Sequence, residues 1–563
     1  IPLAVNSGKI NITGNNSFGL YSEVGSSGPI NVTGPSYATK LINDASGEIN
    51  INEGAKGSIG IRIGSLLATN VENKGKIQLN SSAGDNIGVY SSTAAFENEG
   101  KINVNGNKNI GMYFTGTTGT NKNNGTITVA GTNGYGVMLG NGAIFENTKN
   151  INATGATSMG LYTENSTATN TTGATISSSL HHGVVQKGGT LTNDGNISTA
   201  AGGKAGLYSE NGTFVHSGGV ISSTNGGIAL FNSNSNGTVS AEINVGNSTT
   251  THTGIGVYSD GTGKTIFNTG AKLVLGEKTV GLYSANASNF ENVFEINSLE
   301  ASIGKGSVLA YFGASTAPAN NTVNLTNATL GNLKVSSMGE NSAVFYGDTG
   351  TTVNVNDTID ITASGKFTNI HDTAQFLVTN GGNANIASGK TLTSNLKTTI
   401  SALKSDGGTR GNAQNEGTLA LTGKDGAIGI YLNGSDGTNA TGAAITTANQ
   451  NSIGMHGENS SILSNLGSIT SSGNTSIGMS AVNSTVTNAA TGVLTMNGSG
   501  SAGIYGTTDS EISNLGNITV KSDGSAGIYA NNSNVTNSLN ITAEKGTSAG
   551  IYAIASKAKD IKN

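Results

Sequence analysis

Apolar and polar positions alternate along this chain in one short block that keeps returning. Ser525-Ala526-Gly527-Ile528-Tyr529 recurs as Ser548-Ala549-Gly550-Ile551-Tyr552 and Ser501-Ala502-Gly503-Ile504-Tyr505, with looser copies such as Asn109-Ile110-Gly111-Met112-Tyr113. The glycine marks Gly19, Gly60, Gly88, Gly111, Gly136, Gly160, Gly183, Gly206, Gly227, Gly256 and Gly281, then Gly429, Gly454, Gly478, Gly503, Gly527 and Gly550. In the regular stretches the period is about 24 residues, the mark of a solenoid. The residue after each glycine is aliphatic or Met, whereas the next position is mostly Tyr but also admits Arg62, Met138, Val185, Ala229, His456 and Ser480. Period-two alternation is a strand signal, with the aliphatic column pointing inward and the glycine and tyrosine columns outward. An amphipathic helix would need apolar residues at i, i+3 and i+4, and mid-segment glycine opposes it.

A second signature, apolar-x-Asn followed by Gly and a short strand, runs beside the first: Val71-Glu72-Asn73-Lys74-Gly75-Lys76-Ile77, Phe96-Glu97-Asn98-Glu99-Gly100-Lys101-Ile102 and Leu191-Thr192-Asn193-Asp194-Gly195-Asn196-Ile197. Asn and Gly tolerate left-handed backbone, which predicts a turn there. Each unit then holds three short strands, and the fold class is all-β, a right-handed parallel β-helix of about 24 residues per coil. One coil buries too few aliphatic side chains to offset the entropy of ordering it, so coils must stack. Asn465, Asn488, Asn514 and Asn537 recur at one corner and are placed to form a side-chain ladder between coils. At about 4.8 Å per coil the whole would make a rod on the order of 100 Å long.

Three regions follow: regular coils over 1–284, irregular coils with protruding loops over 285–428, and regular coils over 429–563. The middle region has degenerate copies at Val308-Leu309-Ala310-Tyr311, Ala343-Val344-Phe345-Tyr346 and Ala374-Gln375-Phe376-Leu377. Its wider spacing predicts loops, one around Pro318 within Ser315–Asn320 and one from Leu403 to Gln414. Ala555 to Asn563 reads as a polar end.

Composition narrows the class. There are 85 Gly, 4 Pro, no Cys and 11% charged residues, with a net charge of −5. Ordinary domains carry about 25% charge and about 7% Gly. Disorder goes with high charge and few β-branched residues, the opposite of this chain. A mildly acidic chain offers no electrostatic case for nucleic acid. Without Cys, disulfides, thiolate zinc and thiol catalysis are all out of reach. The chain opens at Ile1-Pro2 without a signal-like segment and has no apolar run of membrane-spanning length, as expected for a fragment or processed piece.

Candidate chemistry is thin. Asp348, Asp357, Asp360 and Asp372 are the nearest to an acidic cluster, but Asp357 and Asp360 face opposite sides of a strand and do not make the facing pair that glycoside hydrolysis needs. His181-His182 precedes Gly183, so His182 is expected to turn inward as a core or edge histidine, with no second ligand adjacent for a metal. Gly546-Thr547-Ser548-Ala549-Gly550 matches the nucleophile-elbow pattern, but its Ser opens a repeat and no helix follows. No catalytic residues, metal or cofactor are assigned. The outward Tyr column can either stack on sugar rings or stack on itself. The surface best suited to a partner is the irregular region, with Tyr311, Phe312, Phe345, Tyr346, Lys404 and Arg410 as candidate ligand-binding residues, because loops on a rigid scaffold commonly carry function.

The repeats, in particular Ser-Ala-Gly-Ile-Tyr with Asn532-Ser533-Asn534-Val535-Thr536-Asn537 and Ile541-Thr542, resemble the passenger region of the large fusobacterial type V autotransporter adhesins over most of 1–290 and 429–552. The resemblance implies a bacterial surface adhesin displayed at the outer membrane, non-enzymatic, anchored through a β-barrel outside this sequence. Its partners would be a host cell-surface glycan, a receptor protein or other bacteria. The alternatives are a β-helical polysaccharide-cleaving enzyme and a passive spacer.

Overall fold

The computed structural model describes residues 3–23, 39–64, 68–285, 290–313, 321–554 and 561–562; Ile1-Pro2, the Pro318 segment and most of 555–563 lie outside them. The chain forms two compact units, Ile1–Thr279 and Val280–Asn563. Each is a right-handed parallel β-helix in which strands pair in parallel with those three places along, with breaks after Phe294–Ile296 and Leu333–Met338 where two of the sheets end and new ones begin. Each coil thus contributes to an Asn sheet (Thr120–Asn123 pairing Ile144–Asn147), an Ile sheet (Lys101–Val104 pairing Thr126–Val129) and a Gly–Tyr sheet (Ile110–Thr115 pairing Tyr135–Gly140). The α-helices among the described residues are single turns, Phe290–Val293 and Asn327–Leu330.

Register keeps like on like. Ile102, Ile127 and Ile151 stack in successive coils, and all three are buried. The aliphatic after the motif glycine behaves the same way: Met112, Val137, Ile504 and Ile528 are at 0% exposure. Stacking therefore turns a weak one-coil core into a continuous one.

The glycine column points inward, not outward. The strand bends there, so that Gly111 and Met112 are both buried, and the ladder runs Ile110↔Tyr135 then Met112↔Val137. A Cβ on Gly111 would sit 2.5 Å from the Gly136 carbonyl oxygen, and one on Gly503 would sit 2.6 Å from that of Gly527. Glycine is required by the space between stacked coils and not by its dihedral freedom. Register also moves two motif copies. Ala229, not Gly227, occupies the glycine position, because Ile228 pairs Ala205 and Phe231 pairs Tyr208. Gln375 pairs Ala343, which puts Phe376 in that position and shifts the third degenerate copy by one residue.

The Asn-x-Gly corner also forms for another reason than the one expected. Its glycines do not need left-handed backbone; a Cβ on Gly75, Gly100 or Gly125 would overlap the carbonyl oxygen of the coil before it. The left-handed non-glycine residues are at the other two corners, such as Lys108 (φ 53°) and Asn133 (φ 52°) before the Gly–Tyr strand and Asn141 (φ 52°) and Asn165 (φ 45°) after it, whereas longer versions of the Asn corner do carry left-handed glycine, as at Gly173 (φ 81°) and Gly442 (φ 84°). The Asn itself turns inward. Asn43, Asn73, Asn98, Asn123, Asn147, Asn170 and Asn193 form a buried amide ladder with N···O distances of 2.7–2.8 Å. A second ladder runs from Asn415 through Asn439, Asn465, Asn488 and Asn514 to Asn537. The serine that opens the motif makes a further ladder: the backbone N–H of Ser476, Ser501 and Ser525 donates to the next serine's Oγ. Ser548 belongs to this ladder, which accounts for the elbow-like pattern around it.

In the irregular coils the glycine position holds Leu309, Val344, Phe376 and Thr399, all buried. Side chains that no regular coil admits need a wider section, and buried rings fill it. Phe290 packs on Phe312 (centroids 5.0 Å apart), Phe312 on Phe345 (6.2 Å) and Phe345 on Phe376 (5.4 Å).

Candidate functional site

Tyr311 is the penultimate residue of the strand Val308–Phe312 and pairs in register with Tyr346 of Ala343–Asp348. Alternation sends both tyrosines outward and sends Phe312 and Phe345 into the core, where their exposure is 0% and 2%. Phe312 and Phe345 therefore cannot meet a ligand. Neighbouring aromatics in a strand take opposite faces, and these two belong to the buried ring stack.

The two tyrosines lie flat on each other, with centroids 5.5 Å apart and planes 13° apart. Tyr283 stacks beneath at 5.9 Å. The Tyr311 hydroxyl donates to Asp348 Oδ2 at 2.8 Å. Burial and then that carboxylate push the Tyr311 phenol well above its ordinary range. Tyr346 is raised for the same two reasons. Neither phenol ionises near neutrality, so the pair offers ring edges and hydroxyls, not a phenolate.

The loop expected from Leu403 to Gln414 is shorter. Leu403 closes the strand Thr398–Leu403, and Asn412–Asn415 is a strand of the Asn sheet, which leaves 404–411 outside regular structure. Lys404 and Asp406 are exposed, and the loop opens directly after Leu403, which stands two coils along from Asp348 in register through Asn380. Arg410 is otherwise occupied. Its Nε donates to Asp436 Oδ1 at 3.0 Å, and its Nη2 donates to the Ser435 and Ser460 carbonyls at 3.1 Å each. It pins the loop across successive coils, which leaves Lys404 as the free cation of the pair. The structure thus brings together Tyr311, Tyr346, Asp348 and the 404–411 loop. Asp348 was visible in the sequence only as a scattered acid; its place two residues after Tyr346 on an outward strand position was the signal.

The four acids do not converge. Asp357 accepts the Asn327 N–H at 2.9 Å and pairs with Lys390 at 3.6 Å, while Asp372 pairs with Lys424 at 2.6 Å. Asp360 accepts the Thr362 hydroxyl at 2.6 Å. Among the described residues no group of three His, Asp or Glu side chains is placed to share a metal ion.

The tyrosine column is half-buried and not broadly exposed; only Tyr21 (42%) and Tyr552 (49%) stand clear. Its rings use their faces on one another: Tyr208 on Phe231 (4.8 Å), Phe231 on Tyr258 (4.6 Å) and Tyr505 on Tyr529 (5.0 Å), with planes 14–22° apart. A sugar ring would need one of those faces, so these stretches are stacking ladders with their edges outward, while Tyr90 and Tyr113 are tilted by 59° and Met138, Val185 and Ser480 interrupt the column. Tyr431 follows the same scheme, its phenol pushed up to about 12 by burial and by Glu458.

Among the histidines, His182 is partly turned in, as expected. It accepts the Ala205 N–H on Nδ1 at 2.9 Å, and burial lowers its pKa to about 4. His216 stands where the next Asn would be, and it caps the first Asn ladder. Asn193 Nδ2 approaches its Nδ1 at 3.0 Å, and its Nε2 meets the Glu242 carbonyl at 2.9 Å. Burial lowers its pKa as well.

The fold defines a β-helical scaffold, and the site is an aromatic and charged patch on its outer surface. Residues 302–557, which include that surface, match the family model described as the BigA third pectate lyase-like domain. No curated protein matches the chain.

Proposed function

We propose that this chain is the β-helical passenger of a non-enzymatic bacterial adhesin of the type V autotransporter kind, exposed at the outer membrane. It binds a host cell-surface glycan, a host receptor protein or partner bacteria. The observation that carries the reading is the surface at Tyr311, Tyr346, Asp348 and 404–411. It is a rigid aromatic edge beside a carboxylate and an exposed lysine, set on a scaffold whose corner Asn and Ser side chains are spent in internal ladders. The match to a BigA domain supports it. We assign no acid–base pair, because Asp348, Asp357, Asp360 and Asp372 each serve a separate structural partner.

Tyr346→Ala and the double substitution Lys404→Ala/Asp406→Ala test it, with far-UV circular dichroism to verify folding. Adhesion of protein-coated beads to host cells and to bacteria is expected to fall in both variants. Wild-type adhesion that neither variant reduces would favour the spacer. Release of unsaturated products from polygalacturonate would favour the polysaccharide-cleaving enzyme.

A further inference from the structure

In the first unit the corner between the Asn and Ile sheets forms a groove of about 560 Å³ over successive coils. Its floor is backbone at Gly47, Gly75, Gly100 and Gly125. One wall is the column Glu48, Lys76, Lys101 and Thr126, which are register partners in the Ile sheet. The other carries Lys74, Glu99 and Asn124, and Lys149 stands where the next glycine would be.

Charge is unevenly neutralised there. Glu48 pairs with Lys9 at 3.2 Å and Lys74 with Glu72 at 2.9 Å. Among the described residues Lys76, Lys101 and Lys149 make no ion pair, and the lining carries four lysines against Glu48 and Glu99, on a chain whose net charge is −5. The fold does not need these ammonium groups. The same glycine corner in the second unit, at Gly467, Gly492 and Gly516, is flanked instead by Leu466, Ala489 and Leu515 and by Ser468, Val493 and Asn517. That corner stacks equally well without charge.

We infer that this groove binds an extended anionic glycan, carboxylated or sulfated, lying along the solenoid axis. The free ammonium groups are spread over three coil steps, about 14 Å at the strand spacing, a span suited to a few consecutive sugar residues. The backbone rules out an added peptide strand. The N–H groups of Lys74, Lys76, Glu99, Lys101 and Thr126 already donate to carbonyls of the preceding coil, so recognition falls to ammonium, amide and hydroxyl side chains. The site lies in the other unit from the Tyr311–Tyr346 surface; it takes its biological setting from the adhesin reading and adds a ligand class to it.

The test uses the whole chain and fluorescence anisotropy with labelled heparin oligosaccharide and oligogalacturonate, with dextran as the neutral control. It compares K76Q/K101Q/K149Q with K334Q/K521Q/K545Q, which changes the net charge equally elsewhere. Wild type is expected to bind at least one anionic glycan, more weakly at high ionic strength, and dextran not at all. The groove variant should lose about tenfold in affinity and the control variant less than about twofold. Equal losses in the two variants, dextran binding as well as the anionic glycans, or no binding of either anionic glycan would overturn the inference. Bead adhesion run in parallel separates the two readings. Adhesion without glycan binding removes the groove and leaves the adhesin, and groove-dependent glycan binding without adhesion does the reverse.

Discussion

Replacing Gly111 by Ala isolates what the motif glycine does. The added Cβ would lie 2.5 Å from the Gly136 carbonyl oxygen and 3.3 Å from Ile127 Cγ2. That carbonyl is held by the ladder pairs on either side, Ile110↔Tyr135 and Met112↔Val137, so it yields only if the coil step opens. Overpacking of this kind costs about 1–3 kcal/mol. Against it, Ala restricts the unfolded chain and returns about 0.4–1 kcal/mol. The net is a loss of about 1–2 kcal/mol. Gly140, in the following coil, is the control: a Cβ there meets no atom within 4 Å, so Gly140→Ala should be neutral or gain about 0.4–1 kcal/mol. The chain supplies its own precedent at Ala229. Ala229 stands at the glycine position and is fully buried, so at least one step does admit a methyl. Urea unfolding followed by far-UV circular dichroism should therefore lower the Gly111→Ala midpoint and leave the Gly140→Ala midpoint unchanged or raised. A shift of Gly111→Ala that matches Gly140→Ala in sign and size would refute the steric account.

Asn98→Ala should cost about 2–5 kcal/mol in the same assay, since it leaves the Asn73 amide donor and the Asn123 carbonyl unpaired in a fully buried row. Ile504→Asp places a charge at 0% exposure and should cost more than about 3 kcal/mol, whereas Tyr505→Ala loses one stacked face and about 1 kcal/mol; similar melting temperatures for the two would contradict the inward and outward assignment. Acid should destabilise the first unit. His182 in the fold holds its proton only below about pH 4 against an ordinary 6.5, so the unfolded chain binds more protons in that window. Its contribution is whole above pH 6.5 and is lost as pH falls toward 4. His182→Asn should flatten the dependence of the thermal midpoint over that range, and an unchanged slope would assign it to other groups.

The candidate surface was half legible in the sequence. Tyr311 and Tyr346 were readable because they repeat the motif's outward column. Phe312 and Phe345 looked equivalent to them in composition, and only the alternation of faces in the folded strands separates the pairs. Arg410 read as a free cation because Asp436, Ser435 and Ser460 are distant in sequence; they become neighbours only when later coils stack on the loop. The lysines of the groove are variable positions in the Asn-x-Gly corner and form a row only through register.

By itself the sequence determined the period, the three strands per coil, the inward aliphatic column and the Asn ladders, because a repeat translated along one axis stacks each residue type on itself. Tertiary structure alone decided which way the glycine faces. A residue without a side chain satisfies both an outward column and a tight inward bend, and only the approach of the next coil's carbonyl chooses between them. It also decided the copies that slipped, Ala229 and Phe376, since backbone pairing follows burial and coil spacing and not the letter that usually marks the motif. Where the coil widens around Phe312, Phe345 and Phe376, volume takes over from periodicity, and volume is a property of the packed interior.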